Sequence, residues 1–271
     1  MKKFIFTSLF ALAALGLRAE RISTTINSGW YFHRGEIALA DTDFDKKWER
    51  IDLPHTWNSE DAFDETPGYY RGVGWYACQL AIPAAWKGNS VVIHFEGVNQ
   101  VARVFVNGKA IGSHTGGYTA FNFDISEAID YGARNLIKVW VDNSHNADIP
   151  PLKADFTFYG GIYRNVRLVV ADRVHFDLAN CASEGVFVLT PQVSRQSATL
   201  VVKGDVANHS SSEKKLLVET QLLDGQGREV ARKEVKLTVK AGATAPFSLE
   251  GLTLSDFSLY LSHHSSKMII Q

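Results

Sequence analysis

Val91-Val92-Ile93-His94-Phe95-Glu96-Gly97-Val98-Asn99-Gln100-Val101-Ala102-Arg103-Val104-Phe105-Val106-Asn107-Gly108 carries the two signals that decide the fold. Val91, Ile93 and Phe95 alternate with Val92, His94 and Glu96, the period of two of a strand whose successive side chains point to opposite faces. Val101 to Val106 then runs into Asn107-Gly108, a dipeptide suited to a two-residue hairpin because glycine, and to a lesser degree asparagine, takes positive φ. The chain returns through Lys109 to His114. Further out, Ile137, Val139 and Val141 alternate around Lys138 and Trp140, a polar loop runs from Asn143 to Pro151, and Val166 to Val170 reads as another strand. A helical pattern fits only short pieces, such as Asp43 to Trp48 and Ser126 to Ile129. Many evenly spaced antiparallel strands predict an all-β fold, a jelly-roll β-sandwich for so long a domain.

Near residue 172 the composition shifts. All six tryptophans (30, 48, 57, 75, 86 and 140) precede it. Beyond it, Val186 to Leu189, Thr199 to Val206, Leu216 to Leu223, Glu229 to Val239 and Thr244 to Leu249 are short strand candidates. In the fourth, Val235, Leu237 and Val239 are expected inside, with Lys236, Thr238 and Lys240 in water. Several short strands in so few residues predict an immunoglobulin-like sandwich, without the Cys–Trp–Cys signature of antibody domains. After Leu254 neither strand alternation nor a capped helix is legible, and His263-His264 reads as solvated tail, not as metal ligands. The expected division is therefore 20–171, 172–254 and an aberrant or disordered tail, 255–271.

Met1 to Glu20 reads differently. Lys2 and Lys3 precede an apolar run from Phe4 to Leu17, with a small residue at Ala19. This predicts a secretory signal peptide over 1–19, hence a secreted or periplasmic protein with no membrane anchor after cleavage. Removing those residues takes away Lys2, Lys3 and Arg18 from 28 basic residues, leaving 25 against 29 acids, a net charge of −4. Such a balance does not favour nucleic acid, which needs a basic field. Cys78 and Cys181 are expected to be two separate, mostly buried thiols.

Hydrolysis of a sugar bond takes two carboxylates held roughly 5–10 Å apart across the scissile bond. The acids here mostly fall in turns or on the wet faces of strands, and no phosphate loop, dinucleotide fingerprint, zinc-peptidase or nucleophile-elbow motif is present. No cofactor is expected. What does read as a site is Asp155-Phe156-Thr157-Phe158-Tyr159-Gly160-Gly161-Ile162-Tyr163-Arg164: a carboxylate, an aromatic cluster and a glycine pair just before a strand. Side chains displayed on a loop above a rigid sheet are a common way to build a binding surface, and aromatic rings suit the apolar faces of sugars. Packing alone accounts equally well for most of those rings.

Asn27-Ser28-Gly29-Trp30-Tyr31-Phe32, Asp52-Leu53-Pro54-His55-Thr56-Trp57-Asn58, Gly72-Val73-Gly74-Trp75-Tyr76, Phe95-Glu96-Gly97-Val98 and Gly112-Ser113-His114-Thr115-Gly116-Gly117-Tyr118 follow one another along the chain. Together with Val104-Phe105-Val106-Asn107-Gly108 and the Asp155–Arg164 stretch, they resemble the N-terminal sugar-binding domain of glycoside hydrolase family 2, of β-galactosidase-like type. That resemblance implies a galactose-binding-domain-like jelly roll, then an immunoglobulin-like domain, then a (β/α)₈ barrel that supplies both catalytic glutamates. A barrel takes about 250 residues, so the resemblance implies no catalytic residue within this chain. The tail departs from the family pattern as a premature stop or frameshift would make it, and the closing strand of the second sandwich is expected to be missing. By resemblance, Asp155 binds a substrate hydroxyl and, with a barrel present, helps hold a monovalent cation; Gly160, Gly161, Arg164, Asn107 and Gly108 are motif or structural positions. Arg71 stands roughly where β-galactosidase members use an asparagine, a departure from the galactose pattern, and is a second substrate-binding candidate. The expected partner is a β-galactoside-like carbohydrate. Two other readings stay open: a stand-alone secreted carbohydrate-binding module, or a piece that assembles with a separately encoded barrel.

Overall fold

The computed structural model describes residues 17–18, 21–61, 65, 68–153, 155–194, 196–223, 226–255 and 264–270. Most of the signal peptide expected from the sequence lies outside them. The first strands are β1 (Leu17–Arg18), β2 (Arg21–Thr25), β3 (Trp30–Arg34), β4 (Glu49–Ile51), β5 (Val73–Ala81), β6 (Ser90–Phe95), β7 (Val101–Val106), β8 (Lys109–Thr115), β9 (Phe121–Asp124), β10 (Arg134–Asp142) and β11 (Val166–Ala171). They are followed by β12 (Val174–Phe176), β13 (Val186–Val193), β14 (Ser197–Asn208), β15 (Lys214–Leu223), β16 (Glu229–Val239), β17 (Ala243–Ser255) and β18 (His264–Ile270).

Two antiparallel sheets make the jelly roll, one in the order β4-β3-β5-β10-β7-β8 and the other β2-β11-β6-β9. Alternation explains why they face each other. Ile137, Val139 and Val141 of β10 point to one side together with Trp30, Tyr76, Val104 and Val106, and meet Val91, Ile93, Phe95, Val166 and Leu168 of the second sheet in one buried cluster. At ~1.5–3 kcal/mol for each large apolar side chain removed from water, this cluster is the main stabilising term. Asn107 at φ 51° and Gly108 at φ 81° make the β7–β8 turn, as their sequence predicts.

The other face of β10 is not left to solvent. Residues 36–48, including the single helical turn Phe44–Lys47, fold over it and bury Trp48, Trp75 and Ala77. Lys138 is 2% exposed there. Its ammonium donates to the Leu39 carbonyl at 2.8 Å and to that of Asp41, and lies 5.3 Å from the Trp48 ring centroid. Glu36 accepts the indole N–H groups of both Trp75 and Trp140. Ser126 to Ala128 forms a turn where a helical piece was legible, because the Ser126 hydroxyl accepts from the Val91 N–H and Asp124 accepts from the Ser126 N–H. Those local bonds compete with a helical ladder.

A second core begins at Val174 and gathers Leu200, Val202, Val206, Leu216, Val218, Val239, Phe247 and Leu249. β12 and β13 share one edge of β14 while β17 takes the other; β16, β15, β18 and β1 form the facing sheet. Val235, Leu237 and Val239 are the less exposed residues at the end of β16, in the alternation the sequence expects. The tail differs from its sequence reading. His264–Ile270 is a strand paired antiparallel with β15, from Leu222 opposite His264 to Leu216 opposite Ile270. β15 hydrogen-bonds β16 on one side only, so its other edge offers unpaired N–H and C=O groups that a Met268-Ile269-Ile270 backbone can satisfy. The closing edge is therefore occupied among the described residues.

Both cysteines are free. Cys78 is buried as expected, and burial pushes its thiol pKa well above the ordinary range. Cys181 is exposed, correcting the sequence expectation: it sits at φ 53° in a short turn (Asn180–Ala182), not in a strand with an inward face.

Candidate functional site

The strand registers bring several loops to one end of the six-stranded sheet. Asp142, the last residue of β10, lies opposite Val73 at the start of β5 and Val101 at the start of β7, and Val101 lies opposite Thr115 at the end of β8. The described residues of 143–165 and 52–72, with 96–100 and 116–120, therefore emerge together. Asn107 and Gly108 do not join them. Asn107 pairs with Leu136, six residues back along β10, or about 20 Å at the strand rise. Its side chain also bonds Ala128, Asn135 and Leu136, which makes it a structural turn residue.

Asp155 is exposed and makes no hydrogen bond or ion pair among the described residues. The chain beyond it is fixed by three asparagines that are at most 4% exposed. Asn143 Nδ2 donates to the Phe158 carbonyl at 3.1 Å, and Asn99 Nδ2 donates to that of Tyr159 at 2.7 Å. Asn58 Oδ1 accepts from the Gly160 N–H at 2.7 Å. Gly161 then exchanges both backbone bonds with Asn99, at 3.0 and 3.1 Å, while the Ile162 carbonyl accepts from the His55 N–H. Three successive residues are thus each held by a different buried amide. None of the three asparagines stands out as a site residue from sequence, where each is one polar residue in a loop.

The glycine pair is required by what lies under it. A Cβ on Gly160 would fall 2.2 Å from Trp57 Cζ2 and 2.6 Å from Asn143 Nδ2. One on Gly161, at φ +116°, would fall 2.4 Å from the Tyr76 hydroxyl and 2.8 Å from the His55 carbonyl oxygen. Arg164 is exposed; its aliphatic stem packs against Gly97 and its guanidinium lies 5.8 Å from the Tyr163 ring centroid. Arg71 is half-buried. Its Nε donates to the Asn143 carbonyl at 2.9 Å and its guanidinium carbon sits 5.4 Å from the Phe158 ring centroid. The structure thus brings Asp155, Gly160, Gly161 and Arg71 to one loop system.

Around that system large rings are left in water. Tyr118 is 54% exposed, Phe156 57% and Tyr159 47%. Phe156 meets the buried Phe158 edge-on, with centroids 5.3 Å apart. Tyr69 also joins the framework: its hydroxyl accepts from the Phe158 N–H at 3.3 Å. Partial burial raises the phenol pKa values of Tyr118 and Tyr163, and the Tyr163 hydroxyl donates to the Gly117 carbonyl. Among the described residues no group of three or more His, Cys, Asp or Glu side chains converges to hold a metal.

Beneath Gly161, His55 Nδ1 and the Tyr76 hydroxyl lie 2.8 Å apart. Burial, and secondly the charge of Arg34, lower the His55 pKa from 6.5 to about 4. The folded state keeps the ring neutral while the unfolded chain takes a proton below pH 6.5. Its contribution to stability is therefore complete above that pH and lost as pH falls toward 4. Allowing for the ring's partial exposure, the loss is about 2 kcal/mol. Urea midpoints are expected to fall between pH 7 and pH 4.5, and His55→Phe to flatten that part of the slope; an unchanged slope in the variant would exclude His55 as its source.

Residues 40–171 match the family model described as glycosyl hydrolases family 2, sugar binding domain. The chain belongs to glycosyl hydrolase family 2. A β-glucuronidase of Bacteroides fragilis is 38% identical over 244 residues, covering 90% of this chain and 33% of the relative. A β-galactosidase of Thermoanaerobacter pseudethanolicus is 38% identical over 181 residues, covering 65% of this chain and 23% of the relative. The crystal structure of a Bacteroides uniformis β-glucuronidase superposes with a TM-score of 0.83 at 39% identity, over 89% of this chain and 29% of that one. The family 2 chain described here spans between about a quarter and a third of the length of such relatives. What it shares with them is the non-catalytic N-terminal region: the sugar-binding sandwich and the immunoglobulin-like sandwich.

Proposed function

We propose that this chain forms the substrate-binding, non-catalytic wall of a secreted or periplasmic β-glycosidase site. The observation that carries the reading is the exposed Asp155, without a hydrogen bond or ion pair among the described residues, on a loop whose residues 158–160 are clamped by three buried asparagines. An exposed carboxylate can accept from a sugar hydroxyl, and charge-assisted bonds of this kind are about twice as strong as neutral ones. Tyr118, Phe156 and Tyr159 supply rings beside it for the apolar face of a sugar. Bond cleavage needs a carboxylate pair that straddles the glycosidic oxygen. In this reading the pair lies on polypeptide beyond these 271 residues, continuous with the chain or separately encoded. Relatives named β-glucuronidase and β-galactosidase support a β-glycoside as the substrate class. The apolar run at residues 4–17 after two lysines supports export. Asp155 by itself offers two oxygens, short of the several that a monovalent cation gathers. The exposed rings also favour the second reading, a carbohydrate-binding module that works without a barrel.

Titration of the purified chain with methyl β-glycosides, followed by NMR, tests both. Asp155→Asn is expected to weaken binding about tenfold, the value of one charge-assisted hydrogen bond. Equal affinity in the variant would remove Asp155 from the site. Hydrolysis of a nitrophenyl glycoside by this chain alone would overturn its non-catalytic assignment.

A further inference from the structure

The two sandwiches are joined by more than the chain between β11 and β12. Residues 177–185, between β12 and β13, fold back over the outer face of the sheet β2-β11-β6-β9. Three contacts hold this strap and its approach. Asn122 Nδ2 donates to the Leu178 carbonyl at 2.7 Å, Arg21 pairs with Glu184, and Arg173 Nε donates to the Gly88 carbonyl. Two histidines lie in the seam. His94 alternates with the core residues Ile93 and Phe95, so it points outward from β6. It lies opposite Arg167 on one side and Asn122 on the other, and lines a narrow crevice with Leu178 and Glu184. His175, on β12, is 6% exposed; its Nδ1 bonds the Asp172 carbonyl at 2.7 Å and its ring stacks on His209, with centroids 5.3 Å apart. A carbonyl only accepts, so the neutral ring holds its proton on Nδ1 and a second proton must enter at Nε2.

The surrounding charges decide what a second proton meets. His94 faces Arg167, Glu96 and Glu184; His175 faces Arg21, His209 and Asp124. The acids are already committed: Glu96 pairs with Arg167 at 2.5 Å, Glu184 pairs with Arg21, and Asp124 accepts from the Ser126 N–H. Burial is the main cause that lowers both histidine pKa values from the ordinary 6.5. Arg167 adds to it at His94, and His209 and Arg21 add to it at His175, against the Asp172 bond. The closed seam therefore keeps both rings neutral, whereas a strap swung into water lets them take protons below pH 6.5. Closure is fully favoured above that pH and is lost as pH falls through the lowered values. We propose that the seam is an acid-opened hinge: protonation of His94 and His175 releases the strap 177–185 and frees the second sandwich to turn on the first.

Cys181 lies in the strap and is exposed, while Cys78 is buried, so a nitroxide attached to the folded 271-residue chain reports on the strap. The mobile component of its EPR spectrum is expected to rise about threefold or more between pH 7.5 and pH 5. Near-ultraviolet circular dichroism, dominated by the tryptophans of the first sandwich, should stay unchanged over that interval. By NMR, the ring signals of His94 and His175 should titrate together with the gain in mobility. The double variant His94→Gln, His175→Gln removes both protonation sites and is expected to make the mobile component independent of pH. A wild-type spectrum that does not change, or a change that survives in the double variant, overturns the hinge. Loss of the circular dichroism signal in step with mobility means unfolding of the first sandwich, and overturns it as well. Should the double variant not fold, the wild-type NMR midpoints decide: ring titrations displaced from the mobility change by about one pH unit or more show that these histidines do not open the seam.

Discussion

Gly161→Ala is expected to destabilise the first sandwich by roughly 3–4 kcal/mol. Two costs combine. At φ +116° an alanine is strained by ~1–3 kcal/mol whatever the space around it. The methyl would also meet the Tyr76 hydroxyl at 2.4 Å and the His55 carbonyl oxygen at 2.8 Å. The first of these is the end of a fully buried ring and the second is backbone, so neither gives way cheaply; overpacking of this kind costs ~1–3 kcal/mol. Moving Gly161 outward instead would break the paired backbone bonds with Asn99 and drag Tyr159 and Phe158 with them. Gly108→Ala is the internal control. Its φ is +81°, but a Cβ there meets nothing within 4 Å, so only the strain remains, about 1 kcal/mol. Urea unfolding followed by tryptophan fluorescence measures both, since all six tryptophans lie in this part of the chain. Equal losses in the two variants would show that the close approach beneath Gly161 does not constrain the loop.

The fold was legible in the sequence because its strands obey a period of two and its tightest turn carries Asn-Gly. Val91 to Phe95, Val101 to Val106 and Ile137 to Val141 each declare a buried face directly. The cover over the outer face was less legible. Nothing local marks Lys138 as buried: it sits at an alternating polar position, and only the distant carbonyls of Leu39 and Asp41 give its ammonium partners. Nor does periodicity reveal β18, whose Ser265-Ser266-Lys267 half is polar; its backbone pairing answers an open sheet edge more than 40 residues away in sequence. The site divides in the same manner. Asp155 and the glycine pair announce themselves by type and spacing, whereas the asparagines that hold them are scattered: Asn143 at the start of the same loop, Asn58 and Asn99 in two others. Their role exists only once β5, β7 and β10 start or end at the same place. Cys181 was misread for the complementary reason, since apolar neighbours in sequence do not bury a residue in a linker turn.

Asn143→Ala tests that dependence most directly, with an expected loss of about 3 kcal/mol. The side chain is 0% exposed and serves both sides of the site, accepting from the Gly72 N–H and donating to the Phe158 carbonyl. Truncation strands one donor and one acceptor where water has little access, at ~1–3 kcal/mol for each unsatisfied group. The damage should stay local. Gly160 remains bonded to Asn58, and Tyr159 to Asn99, so the loop loses its first anchor and keeps the next two. Hydrogen exchange should therefore accelerate at Gly72 and Phe158, while Gly160 and Gly161, whose own bonds remain, and the β10 amides of Ile137 to Val141, paired on both sides, keep their protection. Sugar binding should fall more than stability alone requires, because the freed stretch carries Asp155 on one flank and removes the Phe158 ring from beneath Arg71 on the other. A folded Asn143→Ala chain that binds sugar as tightly as the wild type would show that Asp155 and Arg71 act without this shared support. A chain that is stable and exchanges slowly at Phe158 would show that the amide is not the anchor. Loss of sugar affinity together with local, not global, exchange is the outcome that ties the buried asparagine to the exposed carboxylate twelve residues further along the chain.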